Sequence, residues 1–454
     1  IEELALPVTN DSDKDVFNWP VKVGIPFPQG ELGSASDFEI IGPDGERLLS
    51  QGTVLSRWPD NSVKWLLAEF MADVSAKKTE EFILRYGRDV SNSDENIELV
   101  KEVNGVIQVN TGPLKLLLDP KALKLPGEIW VNPSGDGIFT DEHRVTIGGE
   151  GQISVSDTQY TTTGPVEEVR IESKGPLRAT IYVRGHHRNA DGDMFLYEAR
   201  IHAWRGSSII MLEYLFGNDN PQTFTLVDSL SLDIPLIREV IGAKIGGSDG
   251  EHSISGSDIP VVLSQMTDHT YTVTGVNNSY EASGERAPGW FEVSTEDMSI
   301  TIACRYFWEN YPKEVEINSH GLKIDLMPPI EVGEYADEAA DEIEETRLFF
   351  HLQEGGHKLK EGMSRRHDIL LAFGHSAESI PMDYVNTSLR ASVPRKQYVE
   401  SKVFGEMSEE PGYGSEIYGE LMRGATQEYL MQREVYRSTC QEKVGRIFHL
   451  KQPI

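Results

Sequence analysis

Arg178-Ala-Thr-Ile-Tyr-Val-Arg-Gly-His-His-Arg-Asn-Ala-Asp-Gly-Asp-Met-Phe-Leu-Tyr-Glu-Ala-Arg-Ile-His-Ala-Trp204 reads as strand, turn, strand. Asn189-Ala-Asp-Gly192 supplies the turn, because Asn and Gly tolerate positive φ at little cost. Alternate residues of a strand share a face. Arg178, Tyr182, Arg184 and His186 therefore point one way on the first arm, and Glu198, Arg200, His202 and Trp204 point one way on the second. A row this polar is not core. It faces water, with cross-strand charge pairs such as Glu198 with an arginine, or it lines a groove for a ligand.

The same pattern extends on both sides. Short β-branched or apolar runs recur through the first 380 residues, among them Phe38–Ile41, Val106–Val109, Leu114–Leu118, Val166–Ile171 and Ser299–Cys304. Gly, Pro, Asn and Asp separate them, as in the Pro43-Asp44-Gly45 turn, and no short-period repeat is present. The expectation is an all-β protein. At 454 residues the chain exceeds one compact core. A first unit is expected over 1–95, a sandwich-sized second over 96–380 and a C-terminal extension over 381–454. The acidic stretch Glu331–Glu345 is expected as a solvated loop. Within the extension, Tyr418–Arg437 has helical spacing, with Leu421, Ala425, Tyr429 and Arg433 four apart.

Charge and composition exclude several classes. The formal net charge is -31, from 73 acidic and 42 basic residues, which repels nucleic acid. A local basic groove for an anionic sugar polymer remains compatible with it. No apolar run approaches the roughly 20 residues that span a bilayer. Two cysteines, Cys304 and Cys440, are too few for a disulfide scaffold, and Cys304 is expected as a buried thiol. The chain begins at Ile1 without a basic or apolar leader, and a mature or trimmed form is expected. Asp11, Asp13 and Asp15 alternate, but the glycine and distal glutamate of a calcium-binding EF-hand loop are missing. No metal motif, phosphate loop, dinucleotide fingerprint or nucleophile elbow occurs.

Two further segments hold candidate site residues. Arg305, Tyr306, Trp308, Asn310, Tyr311 and Lys313 interleave basic and aromatic groups at the end of a strand. They form a sugar-binding rim or an aromatic corner closing the sandwich. Arg365 and His367 share a strand face, as a neutralising and a basic group or as ordinary charges on an edge. Trp58 and Trp65 are expected as core of the first unit.

Five segments together resemble the exo-rhamnogalacturonan lyase-like (YetA-like) family. They are Asn18-Trp-Pro-Val-Lys-Val-Gly-Ile-Pro-Phe-Pro-Gln-Gly30, Arg57-Trp-Pro-Asp-Asn-Ser-Val-Lys-Trp65, Val109-Asn-Thr-Gly-Pro113, Gly175-Pro-Leu-Arg178 with Gly185-His-His187, and Gly289-Trp290 with Arg305-Tyr-Phe-Trp-Glu-Asn-Tyr-Pro-Lys313. Their order covers roughly residues 15 to 375. The resemblance implies an N-terminal RIFT-type β-barrel followed by a large mutarotase-like antiparallel β-sandwich. It also implies a polysaccharide lyase, secreted or periplasmic, acting on a rhamnose–uronic acid polymer of pectic or ulvan type. The family usually continues into a helical toroid, of which this sequence shows at most one helix.

β-Elimination beside a uronate needs its carboxylate neutralised, a base for the α proton and an acid for the leaving oxygen. Arg200 or Arg305 is expected to neutralise, His202 to take the proton, and Tyr306 or Tyr197 to protonate, with His367 as the other base. Arg178, Arg184, His186, Trp204, Arg305, Trp308, Asn310, Tyr311, Lys313 and Arg365 are expected to bind substrate. No cofactor is required, and a calcium ion bridging the uronate is compatible. A non-catalytic carbohydrate-binding or scaffold protein and a glycoside hydrolase are the competing expectations.

Overall fold

The computed structural model describes residues 1–87, 90, 92, 97–332, 355–374, 388–408 and 415–435. The 335–345 stretch, His375 and Cys440 lie outside the described residues. The chain divides into two compact units, one of 1–99, 173–179 and 378–432, the other of 100–172, 180–377 and 433–454.

The first unit is built on two antiparallel sheets. One orders Arg390–Ala391, Glu2–Thr9, Thr79–Tyr86, Phe38–Ile41 and Arg47–Leu48; the other sets Val63–Val74 between Val16–Pro26 and Ser50–Arg57. In Glu2–Thr9 only Leu4, Leu6 and Val8 are buried, so the period of two sends one face inward. Phe70 and Phe82 meet in the core at 5.1 Å, and Phe27 meets Tyr86 edge-on at 5.0 Å. Trp58 and Trp65 are half-buried rather than core. The Trp58 Nε1 donates to the Phe27 carbonyl at 2.9 Å with Lys64 over its ring, and Trp65 packs against Tyr398 and Phe404.

Two helices are present in the C-terminal part among the described residues. The helix read at 418–437 spans Ser415–Val435. A second, Arg395–Ser401, escaped the sequence because seven residues are too few to show a period. It is tied to the barrel by Gln397 Nε2 donating to the Pro26 carbonyl at 2.7 Å.

The second unit carries a five-stranded sheet over 100–146 and a seventeen-stranded antiparallel sheet running from Glu150–Val155 to Ser364–Phe373. The hairpin of Arg178–Asn189 and Gly192–Trp204 closes as expected. Asn189 Oδ1 accepts from the Asp191 and Gly192 amides, and Gly192 has φ 150°. Along Gly192–Trp204 the odd residues Phe195, Tyr197, Ala199 and Ile201 are buried, while Glu198 and Arg200 are half-exposed. That parity decides everything about the site.

Candidate functional site

The even face of the hairpin continues in register across its neighbours. Arg200 lies opposite Glu213 of Ile209–Gly217, and Glu213 lies opposite Asp368 of Ser364–Phe373. The Arg305 amide donates to the Asp368 carbonyl at 3.0 Å. Arg200, Glu213, Asp368 and Arg305 thus form one line across the sheet. Strands stand about 4.8 Å apart, so three steps span about 14 Å.

Charge pairs hold this line. At one end Arg200 Nε and Nη2 donate to Glu172 at 2.9 and 3.2 Å. The Tyr182 ring lies between two guanidiniums, Arg170 at 4.2 Å and Arg200 at 4.7 Å. In the middle Arg366 reaches Glu213 at 3.5 Å and Asp368 at 2.8 Å. At the other end Arg305 Nη1 donates to Asp368 at 3.3 Å and Nη2 to the Tyr306 hydroxyl at 3.3 Å. The Arg305 guanidinium is 4.8 Å from the Tyr306 ring. Tyr306 is 40% exposed and has φ 53°, a left-handed conformation that a bulky side chain rarely takes. Such a residue stores about 1–3 kcal/mol of strain, and residues of this kind gather at functional sites.

His202 sits on the same face but is only 5% exposed. Its Nδ1 pairs with Thr180 Oγ1 at 2.9 Å, its Nε2 is 3.4 Å from Glu213, and its ring lies 6.2 Å from Trp204. Trp204 is likewise buried. His186, at the far end of the face, bridges Glu167 at 2.5 Å and Asp219 at 2.6 Å. Burial opposes its proton, but the two carboxylate bonds outweigh burial and hold its pKa above the ordinary value. Arg184 shares this face and is half-exposed.

Several expected site residues turn out to be interior. Tyr197 is 1% exposed, and its ring packs 5.4 Å from that of His187. Burial pushes its phenol well above the ordinary range. His367 and Lys313 are 6% and 3% exposed, and Lys313 Nζ donates to the Leu326 carbonyl. Burial, and then the neighbouring Arg365 charge, lowers the Lys313 pKa well below its ordinary value; burial, and then Lys313 and Arg365, does the same to His367; burial also lowers Arg365. These four have the parity that enters the sandwich, so none of them faces a polymer. Cys304 is buried as expected, its thiol pushed up to about 12 by burial. Arg178 belongs to the first unit, where it is spent on Glu69 in a buried two-bond pair at 2.8 and 2.9 Å. Trp308 and Asn310 form a single turn of 3-10 helix, followed by Tyr311, and Arg286 lies 4.1 Å over the Trp308 ring. That is the aromatic corner rather than an open rim.

Sequence reading missed Glu172, Glu213, Arg366 and Asp368. Cations occur at both parities of 364–368, so the sequence did not say which of Arg365 and Arg366 looks outward. It also missed a cleft of ≈ 410 Å³ whose lining includes Glu150, Asp233, Glu316 and Lys323. There the Gln152 amide donates to both Glu150, at 2.9 Å, and Asp233, at 2.7 Å. Burial, despite nearby Lys323, raises the Asp233 carboxyl above its usual range. Among the described residues no group of three or more His, Cys, Asp or Glu side chains is placed to hold a metal ion.

Two family models match parts of this chain. Residues 11–85 match the PcRGLX-like N-terminal RIFT barrel domain, and residues 99–240 match the PcRGLX-like central β-sandwich domain. The uncharacterized protein YetA of Bacillus subtilis is 20% identical over 371 residues, covering 67% of this chain and 42% of that protein. A glycosyl hydrolase family 38 protein of Enterococcus faecalis superposes with TM-score 0.51 at 10% identity, over 87% of this chain and 48% of that one. An α-mannosidase of Enterococcus faecalis V583 gives TM-score 0.50 at 11% identity, over 86% and 46%. The chain spans about half the length of the relatives it matches. What it shares with the two solved structures is the fold, one found in carbohydrate-active enzymes.

Proposed function

The chain belongs to the PcRGLX-like family through its RIFT barrel and central β-sandwich, and on that premise we propose that it is a polysaccharide lyase. Its substrate in this reading is a rhamnose–uronic acid polymer, ulvan-like or rhamnogalacturonan-like. Such a polymer is met outside the cytoplasm, so a secreted or periplasmic location follows from the same proposal. The observation that carries the reading is Tyr306. It is exposed, held in a strained left-handed conformation, and hydrogen-bonded to an arginine that Asp368 orients.

Arg305 neutralises the uronate carboxylate, which acidifies the proton at C5. Tyr306, reacting as the phenolate beside the Arg305 guanidinium, takes that proton and becomes the phenol. The electron pair forms the C4=C5 double bond as the C4–O bond breaks, and the proton passes to the leaving oxygen. His202 lies on the strand of Arg200, which strand spacing puts about 14 Å from Arg305, and it is 5% exposed, so it supports the row through Glu213 and touches neither the reacting carbon nor the sugar. Arg200, saturated by Glu172, has the same supporting place.

Absorbance at about 235 nm, followed on ulvan and on rhamnogalacturonan with and without calcium, tests the proposal. Elimination is expected on one of them, with Tyr306→Phe lowering kcat by at least about 100-fold, the low end for lost acid–base catalysis. Wild-type rates in Tyr306→Phe sink the assignment. A glycoside hydrolase is the second reading, favoured by Glu150 and Asp233 held side by side on one amide in a sugar-sized cleft. A retaining pair stands about 5–5.5 Å apart. New reducing ends without absorbance would select it, and binding without any product would leave a carbohydrate-binding module.

A further inference from the structure

Three basic side chains gather inside the second unit, and no carboxylate among the described residues acts on them. Lys313 is the first residue of strand Lys313–Asn318, and Arg365 and His367 are the second and fourth of Ser364–Phe373. All three have the parity that enters the sandwich. Lys313 and His367 are buried, and Arg365 is half-buried.

Their partners are few. Lys313 Nζ gives one hydrogen to the Leu326 carbonyl. Among the described residues neither Arg365 nor His367 makes a hydrogen bond or an ion pair. The charges that act on His367 are Lys313 and Arg365, and Lys313 in turn feels Arg365 and the Cys304 thiol. His357 is a fourth basic group near Lys313, with its Nε2 donating to the Pro328 carbonyl at 2.8 Å. The outer face of the same strand is the opposite case, since Arg366 reaches both Glu213 and Asp368.

A guanidinium keeps its charge in a protein, and a buried charge without a partner is costly. Lysine and histidine can shed their protons, and burial drives Lys313 and His367 that way. The cluster therefore lacks negative charge. Its donors are the planar fork of Arg365, the imidazolium of His367 and the two hydrogens left on a protonated Lys313. A tetrahedral oxyanion carries two charges at most and acceptor oxygens in several directions, whereas a neutral hydroxyl brings no charge and chloride only one. We propose that Lys313, Arg365 and His367 form a binding site for one small tetrahedral oxyanion, sulfate or inorganic phosphate. The ligand is a free ion rather than a group on a polymer, because Lys313 and His367 are only 3% and 6% exposed. The site shares none of these three residues with the outer charged row and does not depend on the lyase reading.

Titration calorimetry of the full chain with sodium sulfate and with sodium phosphate, against sodium chloride at matched ionic strength, tests it. Saturable binding of sulfate or phosphate is expected, and none of chloride. Arg365→Met should weaken binding at least about tenfold, the loss of one charged hydrogen bond or more. In buffer free of both oxyanions the same variant should melt no lower than the wild type, because it removes a charge that has no partner and keeps the side-chain length. His367→Gln should weaken binding about tenfold as well. Saturable binding of neither ion, chloride binding as well as they do, or unchanged affinity in both variants overturns the site. A lower melting temperature in Arg365→Met would mean that the guanidinium already serves the fold, and sinks the proposal too.

Discussion

Replacing Arg178 by Met separates a structural arginine from a substrate-binding one. Arg178 and Glu69 are joined by two hydrogen bonds, at 2.8 and 2.9 Å, with side chains 11% and 2% exposed. Removing the guanidinium strands a carboxylate in the barrel, and breaking a buried pair this way costs about 3–5 kcal/mol. Lys22, 3.9 Å from Glu69 and 43% exposed, recovers little of that. With a urea m-value of about 2 kcal/mol/M, the first unit's unfolding midpoint should fall by roughly 1.5–2.5 M. Fluorescence-monitored urea unfolding reads the shift. Combining Arg178→Met with Glu69→Leu should restore most of the loss, because no charge is left unpaired. The folded single variant should keep the wild-type KM. A variant with unchanged midpoint and raised KM would refute the reasoning and return Arg178 to the substrate.

Two other outcomes follow from burial. His187 and His357 are buried and their pKa values are lowered to about 4 from 6.5, chiefly by burial. The unfolded chain therefore binds more protons below pH 6.5, and stability falls by about 1.4 kcal/mol per pH unit per histidine as pH drops from 6.5 towards 4. His187→Gln and His357→Gln should flatten that slope in pH-dependent thermal melts, and identical slopes in variants and wild type would contradict it. A Cβ at Gly185 would stand 2.7 Å from the Tyr197 hydroxyl, so Gly185→Ala should cost about 1–3 kcal/mol by overpacking. Tyr197→Phe in the same chain should recover part of it, and a neutral Gly185→Ala would show that the interior gives way.

Before any coordinates, strand alternation and turn chemistry determine the β architecture, the hairpin closing at 189–192 and the shared face of Arg200 and His202. Those signals are local: a period of two and the φ preference of Asn and Gly need no partner strand. The resemblance carried by five short segments adds the barrel and the sandwich. Only the tertiary structure decides which face meets solvent and what each charge touches. Arg365 and Arg366 are adjacent and chemically alike, yet Arg365 is half-buried opposite the buried Phe216 and Arg366 ties Glu213 to Asp368 outside. Register with Ile209–Gly217 makes that choice, since a shift of one residue would exchange the faces. Arg178 looked free for a sugar, and a carboxylate more than a hundred positions earlier takes it, a contact that no local pattern encodes. Ion pairs and clefts arise between strands distant in sequence, which is why the row was legible residue by residue while its charge balance was not.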